Sequence, residues 1–340
     1  MADELLRRFG LGPPLYLEAA PGGLLNQNLF ATTGREAYFL KGYRYVDPEP
    51  IRREHGVIQA AIAGGAPALA PLADPTGKTF LRVGGRWWAI FPRVSGEQPP
   101  VSELSVEHAT GMGRVLGAIH VALAGLPALE AAKFPPKLQW ASALAYAEMA
   151  EYEAMIAKRP ALDPFDQHTL ASFGYRRSLL AGGVPPAESF AALPQQVLHG
   201  DFHDRNLFFA PDGAVRHVID WELAGRGPRA WELIRALDLS LSLAEDVEAG
   251  GPLLRAFVHG YAAVAPLTAE ECEAMPDLYW AARVHSLWVY EEHYRKGAAK
   301  TDRVAMQDLH TLQWLASNRA RVASLLRAAL ATAPTPRLAS

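Results

Sequence analysis

Cysteine is nearly absent. Cys272 is the single one in 340 residues, so neither an intramolecular disulfide nor a cysteine-built metal centre is available, and a reducing compartment is the natural setting. A surplus of positive charge is absent too: 33 Lys and Arg face 36 Asp and Glu, a formal net charge of -3, so no global field draws nucleic acid or an anionic membrane. Long apolar runs are missing. The most apolar stretch, Ala60 to Ala73, contains Pro67 and Pro71 and is too short to span a bilayer. The N-terminus, Met1 to Arg8, carries acids first and lacks the apolar run of a secretory signal. These absences predict a soluble, cytoplasmic protein with no nucleic-acid or membrane partner, and nothing in them speaks to oligomeric state. What is present is ample core material, since 50% of the residues are hydrophobic and 20% charged.

From Leu24 to about Pro92 the pattern is strand-like. Leu24–Thr33 and Glu36–Tyr43 read as a hairpin about Thr33-Gly34-Arg35, a helix runs from Asp47-Pro48 to about Ala63, and Thr79–Val83 and Arg86–Phe91 form a second hairpin about Gly84-Gly85. From Ser102 onward helical periodicity dominates, including a predicted helix from Pro276 to about Arg295. The one exception is a strand-bearing island, Val197–Trp221, set among the helices. The fold class expected is therefore α+β, with a β-rich part, residues 1–93, that carries one helix, and a larger, mainly helical part, residues 94–340.

The island reads His199-Gly-Asp201-Phe-His-Asp-Arg-Asn206, then a turn at Pro211-Asp-Gly213, then Val218-Ile-Asp220-Trp221. A loop and hairpin of this kind deliver Asp201, Asn206 and Asp220 to one place. Phosphoryl transfer asks for that set: a carboxylate to orient an attacking hydroxyl, and an amide oxygen with a second carboxylate to hold Mg²⁺ on ATP phosphates. Finding His199, Asp201, Asn206 and Asp220 at fixed spacing by chance in a chain of this length has a probability of roughly 0.002. Asp201 and Asn206 alone could be turn formers, but Asp220 on a following apolar strand favours the metal-phosphate site. His199 is expected to be a buried, hydrogen-bonded orienter, while His203 and Asp204 are expected to face solvent. Two decoys are set aside. Thr76-Gly-Lys78-Thr79 mimics the end of a Walker A loop but has Leu72 where its first glycine belongs, and Gly225-Arg-Gly227 has the dinucleotide spacing but is followed by Pro228 and no βαβ repeat.

With these motifs the chain resembles the aminoglycoside phosphotransferase and choline kinase-like family of small-molecule kinases, which share the bilobal protein-kinase-like fold. The resemblance implies that Asp201 is the catalytic aspartate, that Asn206 and Asp220 are the metal-binding pair, and that ATP and Mg²⁺ are the cofactors. No Ala-Pro-Glu follows Asp220, so a small-molecule hydroxyl acceptor is expected in place of a protein. Such a kinase needs a lysine on an N-terminal strand paired with a glutamate on the next helix, and Lys41 and Glu54 stand in that order. Pro21-Gly-Gly-Leu-Leu-Asn-Gln-Asn28 is similar to the family's short Gly/Asn turn over the phosphates, with Asn28 as a contact, and Phe91 to Glu97 is the expected hinge for adenine, with Phe91 and Arg93 as contacts. The family usually has Asp where Glu232 stands, which leaves the brace of the catalytic loop open.

Two acceptor candidates follow. Glu222, after Trp221, resembles the choline kinase branch, with a salt bridge to an arginine such as Arg229 as the competing reading. Trp280, Val284, Leu287 and Trp288, ending in a carboxylate at Glu291, recur at helical spacing and could hold a sugar or an ammonium group, with core packing as the competing reading. A catalytically inactive kinase-fold scaffold and a protein kinase-like enzyme remain the alternative functions.

Overall fold

Alternation of period two along Ala37–Tyr43 sends Tyr38 and Leu40 to one face of a sheet and Lys41 and Tyr43 to the other, and that alternation organises the first ninety residues. The computed structural model describes residues 1–20, 26–34, 36–94, 96–126 and 140–335. Helix α1 (Ala2–Arg8) precedes strands β1 (Pro14–Ala19), β2 (Gln27–Thr33) and β3 (Ala37–Tyr43); helix α2 (Glu49–Ala63) follows, then β4 (Leu81–Val83) and β5 (Arg86–Pro92). The five strands form one antiparallel sheet in the order β1-β2-β3-β5-β4. One face, with Leu40, Trp88 and Ile90, packs on Leu5, Leu6 and Phe9 around α1. The other, with Tyr43, Ala89 and Phe91, joins α2 and the main core.

The remainder is helical. Helices α3 (Val106–Leu123), α4 (Ser142–Ile156) and α5 (Pro164–Ala181) lead to strands β6 (Gln195–Leu198), β7 (Leu207–Phe209), β8 (Val215–Val218) and β9 (Gly225–Pro228). Then come α6 (Arg229–Ser240), α7 (Leu243–Glu248), α8 (Pro252–Ala262), α9 (Ala269–His285), the single turn α10 (Trp288–Tyr290) and the long α11 (Asp302–Ala331). The island is thus two short antiparallel pairs, β6-β9 and β7-β8. Hydrogen bonds from earlier chain pin the β7-β8 hairpin on both sides. Val218 N–H donates to Pro67 O and Leu69 N–H to Val218 O, while Glu97 and Phe209 exchange backbone bonds at 3.1 and 2.9 Å. Gly96 is required beside that exchange: its φ is 149°, and a Cβ there would lie 3.0 Å from Phe208 Cβ. No helix among the described residues is long and apolar enough to cross a membrane.

Three sequence expectations need correction. Helix α1 and strand β1 lie ahead of where strand character was expected to begin. The segment Thr79–Val83 contributes only β4, which starts at Leu81. The helix expected at Pro276–Arg295 is broken: α9 starts earlier, runs through Pro276 and ends at His285, and Glu291–Arg295 is a separate π-type turn. The break has a local cause. The Arg176 guanidinium donates to the carbonyls of Arg283 and Val284, at 2.5 and 2.7 Å, capping the end of α9, while Ser286 N–H closes a tighter turn onto Arg283 O at 3.2 Å. Residues 21–25, Arg35 and Ser95, which earlier expectations also cover, lie outside the described residues.

Candidate active site

Lys41 sits near the end of β3 on the α2 side of the sheet, and Glu54 stands on the buried face of α2. Lys41 Nζ donates to Glu54 Oε1 at 2.9 Å and to Asp220 Oδ1 at 3.0 Å, and lies 3.5 Å from Glu222 Oε2. Burial alone would pull the lysine toward neutrality, but Asp220, Glu54, Tyr43 and Glu222 outweigh it and hold its pKa well above the ordinary value. Burial pushes the Glu54 carboxyl up to about 6 against the opposing charge of Lys41. Asn28 is opposite Lys41 in the β2-β3 ladder, and its buried Oδ1 has no partner among the described residues.

The antiparallel register Leu207↔Val218 sets Asn206 beside Ile219, whose N–H donates to Asn206 O at 3.0 Å. Asp220, the next residue, has a left-handed backbone, φ 59° and ψ 66°, a conformation that non-glycine residues hold mainly where the surroundings enforce it. Asn206 Nδ2 donates to the Asp201 backbone carbonyl at 2.9 Å and to Asp201 Oδ2 at 3.2 Å, which turns its Oδ1 away from those bonds.

Asp201 is held from two sides. Arg235 Nη2 donates to its Oδ1 at 2.6 Å, and His203 Nε2 is 3.4 Å from its Oδ2. Burial opposes ionisation of Asp201, but the hydrogen bond from His203 and the charges of Arg235 and His203 prevail, and its carboxyl lies well below the usual range. His199 is fully buried. It accepts the Asp201 N–H on Nδ1 at 3.1 Å, so the ring proton is on Nε2, which donates to Ile219 O at 3.0 Å. His203 and Asp204, expected at the surface, are both buried, and Asp204 N–H donates to Ser240 Oγ at 2.9 Å. The loop turns inward because its polar groups find partners on α6 and within the site.

Glu232 braces this loop. It accepts His199 N–H at 3.1 Å, Gly200 N–H at 2.5 Å and His120 Nε2 at 3.0 Å, and His120 Nδ1 in turn meets Tyr261 Oη at 2.9 Å. The loop demands a glycine at 200, where φ is 86° and a Cβ would fall 2.1 Å from Leu223 O.

Other expected contacts fall elsewhere. Glu222 accepts Asn26 Nδ2 at 2.5 Å and Tyr45 Oη at 2.6 Å beside Lys41, so it stands with the Lys41 cluster. Arg229 pairs with Glu271 at 2.6 and 2.7 Å and not with Glu222. Glu291 is half exposed and pairs with Lys296 at 3.2 Å, while Trp280, Val284 and Leu287 are buried core and Trp288 is exposed. The helix break therefore separates Glu291 from the stripe to which the sequence reading attached it. Phe91 is in the β3-β5 ladder with its ring buried. Arg93 begins the departing chain, its N–H donating to Ala37 O at 3.0 Å and its guanidinium lying 4.3 Å from the Phe30 ring. Sequence reasoning missed Arg235 and the Asn26-Tyr45-Glu222 contact. Only Arg235's place three residues after Glu232, on the same helix face, could have signalled it.

Next to Glu54 on α2, His55 supplies a pH test. Its ring bonds Thr79 Oγ1 at 2.7 Å and Tyr43 Oη at 3.2 Å, and burial, then the Lys41 charge, pushes its pKa down to about 4. The unfolded chain protonates His55 near 6.5 and the folded one near 4, so its contribution is present above 6.5 and is lost as pH falls toward 4, by about 3 kcal/mol in full. Glu54 titrates in the opposite sense between about 6 and its ordinary value. A His55→Gln variant that keeps Glu54 should therefore lose less melting temperature than wild type between pH 7 and pH 5. Equal losses would remove His55 from the acid response.

A model described as the phosphotransferase enzyme family, APH, matches residues 17–268. The homoserine kinase of Rhodopseudomonas palustris (strain TIE-1) is 28% identical over 290 residues, covering 84% of this chain and 83% of that protein. The homoserine kinase of Caulobacter sp. (strain K31) is 25% identical over 288 residues, covering 81% of each. Among solved structures, spectinomycin phosphotransferase in complex with ADP and spectinomycin aligns with a TM-score of 0.62 at 14% identity, covering 96% of this chain and 97% of that one. The microcompartment-associated aminopropanol kinase aligns with a TM-score of 0.62 at 17% identity, covering 94% and 98%. These structural likenesses show a shared α+β, protein-kinase-like fold, and the match over residues 17–268 shows more: the chain belongs to the phosphotransferase enzyme family and is a small-molecule kinase.

Proposed function

We propose that the protein transfers the γ-phosphoryl group of ATP to a hydroxyl of a small molecule. In this reading residues 1–93 form the nucleotide-binding part, residues 94–340 carry the catalytic loop and acceptor site, and Asp201, Lys41, Asn206 and Asp220 do the work. The observation that carries it is the convergence of Lys41, Glu54 and Asp220, with Lys41 bonded to two carboxylates drawn from distant parts of the chain at 2.9 and 3.0 Å. One lysine among Glu54, Asp220 and Glu222 leaves an excess of negative charge, and Arg44 approaches only to 3.9 Å from Glu222.

A divalent cation fits that excess. Asn206, whose amide nitrogen is already committed, and the half-exposed Asp220 would hold Mg²⁺, which when bound offsets phosphate charge. The chain's own groups do the rest. Lys41, fixed by Glu54, pairs with the ATP phosphates, and Asp201 orients the acceptor hydroxyl and receives its proton. The acceptor oxygen-phosphorus bond forms as the bond to the β-γ bridging oxygen breaks, and ADP leaves with that electron pair. Because Asp201 is so weakly basic, positioning carries more of the rate than proton abstraction.

The relatives named homoserine kinase and the neighbour named aminopropanol kinase support a small hydroxylated amine or amino acid as acceptor. The test is ATP-induced thermal stabilisation with Mg²⁺ or with a chelator. At 100 times its dissociation constant a ligand adds about 2.7 kcal/mol, and that shift should vanish in Lys41→Ala and Asp220→Ala and shrink without Mg²⁺. An undiminished shift in Asp220→Ala would mean that the nucleotide binds elsewhere.

A further inference from the structure

The charges around Asp201 are followed along α6 by a second group of charged side chains. On α6, Trp231, Arg235 and Asp238 are spaced by four and three and share one face. Arg235 bonds Asp201, with its guanidinium 5.4 Å from the ring of buried Trp231. One turn on, Asp238 Oδ2 accepts Tyr279 Oη at 2.7 Å and Arg283 Nη1 at 2.9 Å, and Arg283 Nη2 donates to Asp308 Oδ1 at 2.6 Å. Opposite charges thus alternate from Asp201 outward. Unlike Arg176, which is sealed, Asp201, Arg235, Asp238 and Arg283 each keep 14–20% of the side chain exposed, so solvent reaches each of the four, Asp201 included.

Resting on the kinase reading above, we infer that Arg235 receives a carboxylate of the acceptor, so that the substrate is a short hydroxy acid, with its ammonium group, where it has one, beside Asp238. Arg235 commits only Nη2 to Asp201, and its other donors have no partner among the described residues. A guanidinium presents parallel N–H groups suited to a carboxylate, which it grips better than a neutral hydroxyl or an amine. The geometry also limits length. The same guanidinium that touches Asp201 holds the carboxylate, so the phosphorylated hydroxyl and the acid group are only a few bonds apart, too close for opposite ends of a multi-ring antibiotic. Both described bonds to Asp238 fall on Oδ2, which leaves Oδ1 for a cation.

Three acceptors that differ by one group separate the contributions: homoserine, 3-amino-1-propanol, which lacks the carboxylate, and 4-hydroxybutyrate, which lacks the ammonium. With ADP release as the readout, kcat/KM in wild type should favour homoserine over 3-amino-1-propanol by about tenfold to a hundredfold, the scale of one charge-assisted contact. In Arg235→Gln that ratio should collapse toward one, with KM rising for homoserine and 4-hydroxybutyrate and the KM for ATP unchanged. A loss of Asp201 orientation alone would lower kcat for all three equally and leave the ratio intact, which would overturn the inference, as would a wild-type preference for 3-amino-1-propanol. If none is turned over, stabilisation of the MgADP complex by 4-hydroxybutyrate, present in wild type and absent in Arg235→Gln, decides the matter, and its absence in wild type overturns the assignment. Failure of ATP itself to stabilise wild type overturns the kinase reading and this inference with it, whereas an intact ATP response without carboxylate preference overturns the inference alone.

Discussion

Asp201→Asn is expected to reduce phosphoryl transfer by about 10²–10⁴-fold while leaving MgATP-induced stabilisation nearly unchanged. The site explains the split. Asp201 is bonded to Arg235, Asn206 and His203 and makes none of the Lys41 contacts, so its replacement disturbs the acceptor side and spares the phosphate side. Asn keeps the shape but offers a neutral oxygen to Arg235 and no proton acceptor to the substrate. Asp201→Glu separates orientation from charge: the carboxylate survives one methylene further out, and if position dominates this variant should be nearly as slow as Asn. The measurement is steady-state ADP release beside an ATP thermal shift. More than a tenth of wild-type turnover in Asp201→Asn would remove Asp201 from the reaction.

Glu232→Gln should be the most damaging substitution for stability. Glu232 is fully buried and its two oxygens serve different donors, His199 N–H and His120 on Oε2 and Gly200 N–H on Oε1. Burial opposes its charge, yet the hydrogen bond and charge of His120 and the Gly200 N–H hold its carboxyl below the ordinary range. A glutamine has one carbonyl oxygen, so its amide NH₂ must confront one of those donors, and a buried donor loses its partner. Breaking a buried, hydrogen-bonded charged group typically costs about 3–5 kcal/mol, read as a lower urea midpoint at unchanged slope. Glu232→Asp keeps the charge but shortens the reach, and should recover part of the loss. A midpoint within error of wild type for Glu232→Gln would show that the loop does not depend on the brace.

The cluster of candidate residues was legible because the chemistry expected of it fixes spacing. The interval from His199 to Asn206 is set by one loop, and Lys41 and Glu54 follow from strand and helix order. What escaped notice depends on contacts between segments far apart in sequence. Arg235 carries no motif, because any side chain on that face of α6 could reach the loop, and only the fold shows that it does. His203 and Asp204 look like surface residues by type, yet both are buried, His203 with Nε2 3.4 Å from Asp201 Oδ2 and Asp204 with its backbone N–H on Ser240 Oγ. The apolar rhythm of Trp280, Val284, Leu287 and Trp288 continues across the end of α9, and hydrophobic periodicity is blind to a guanidinium from α5 that takes the helix's last carbonyls. The expected brace position was found, but whether a glutamate could fill it rested on a one-methylene difference that only the three donors around it resolve.

The backbone pairing of the β7-β8 hairpin with Pro67-Leu69 and with Glu97 has a consequence for biosynthesis. Its bridges Ala68↔Val218 and Glu97↔Phe209 join residues about 150 and 110 positions apart. Such pairings close large loops and form late, because the entropy of closure must be met before the contact forms. On the ribosome the five-stranded sheet can assemble as soon as β5 has emerged, whereas the hairpin bearing Asn206 and Asp220 has to wait for more than a hundred further residues. A nascent chain therefore acquires its lysine-glutamate half long before its aspartate-asparagine half. No truncated product ending before residue 220 can carry both.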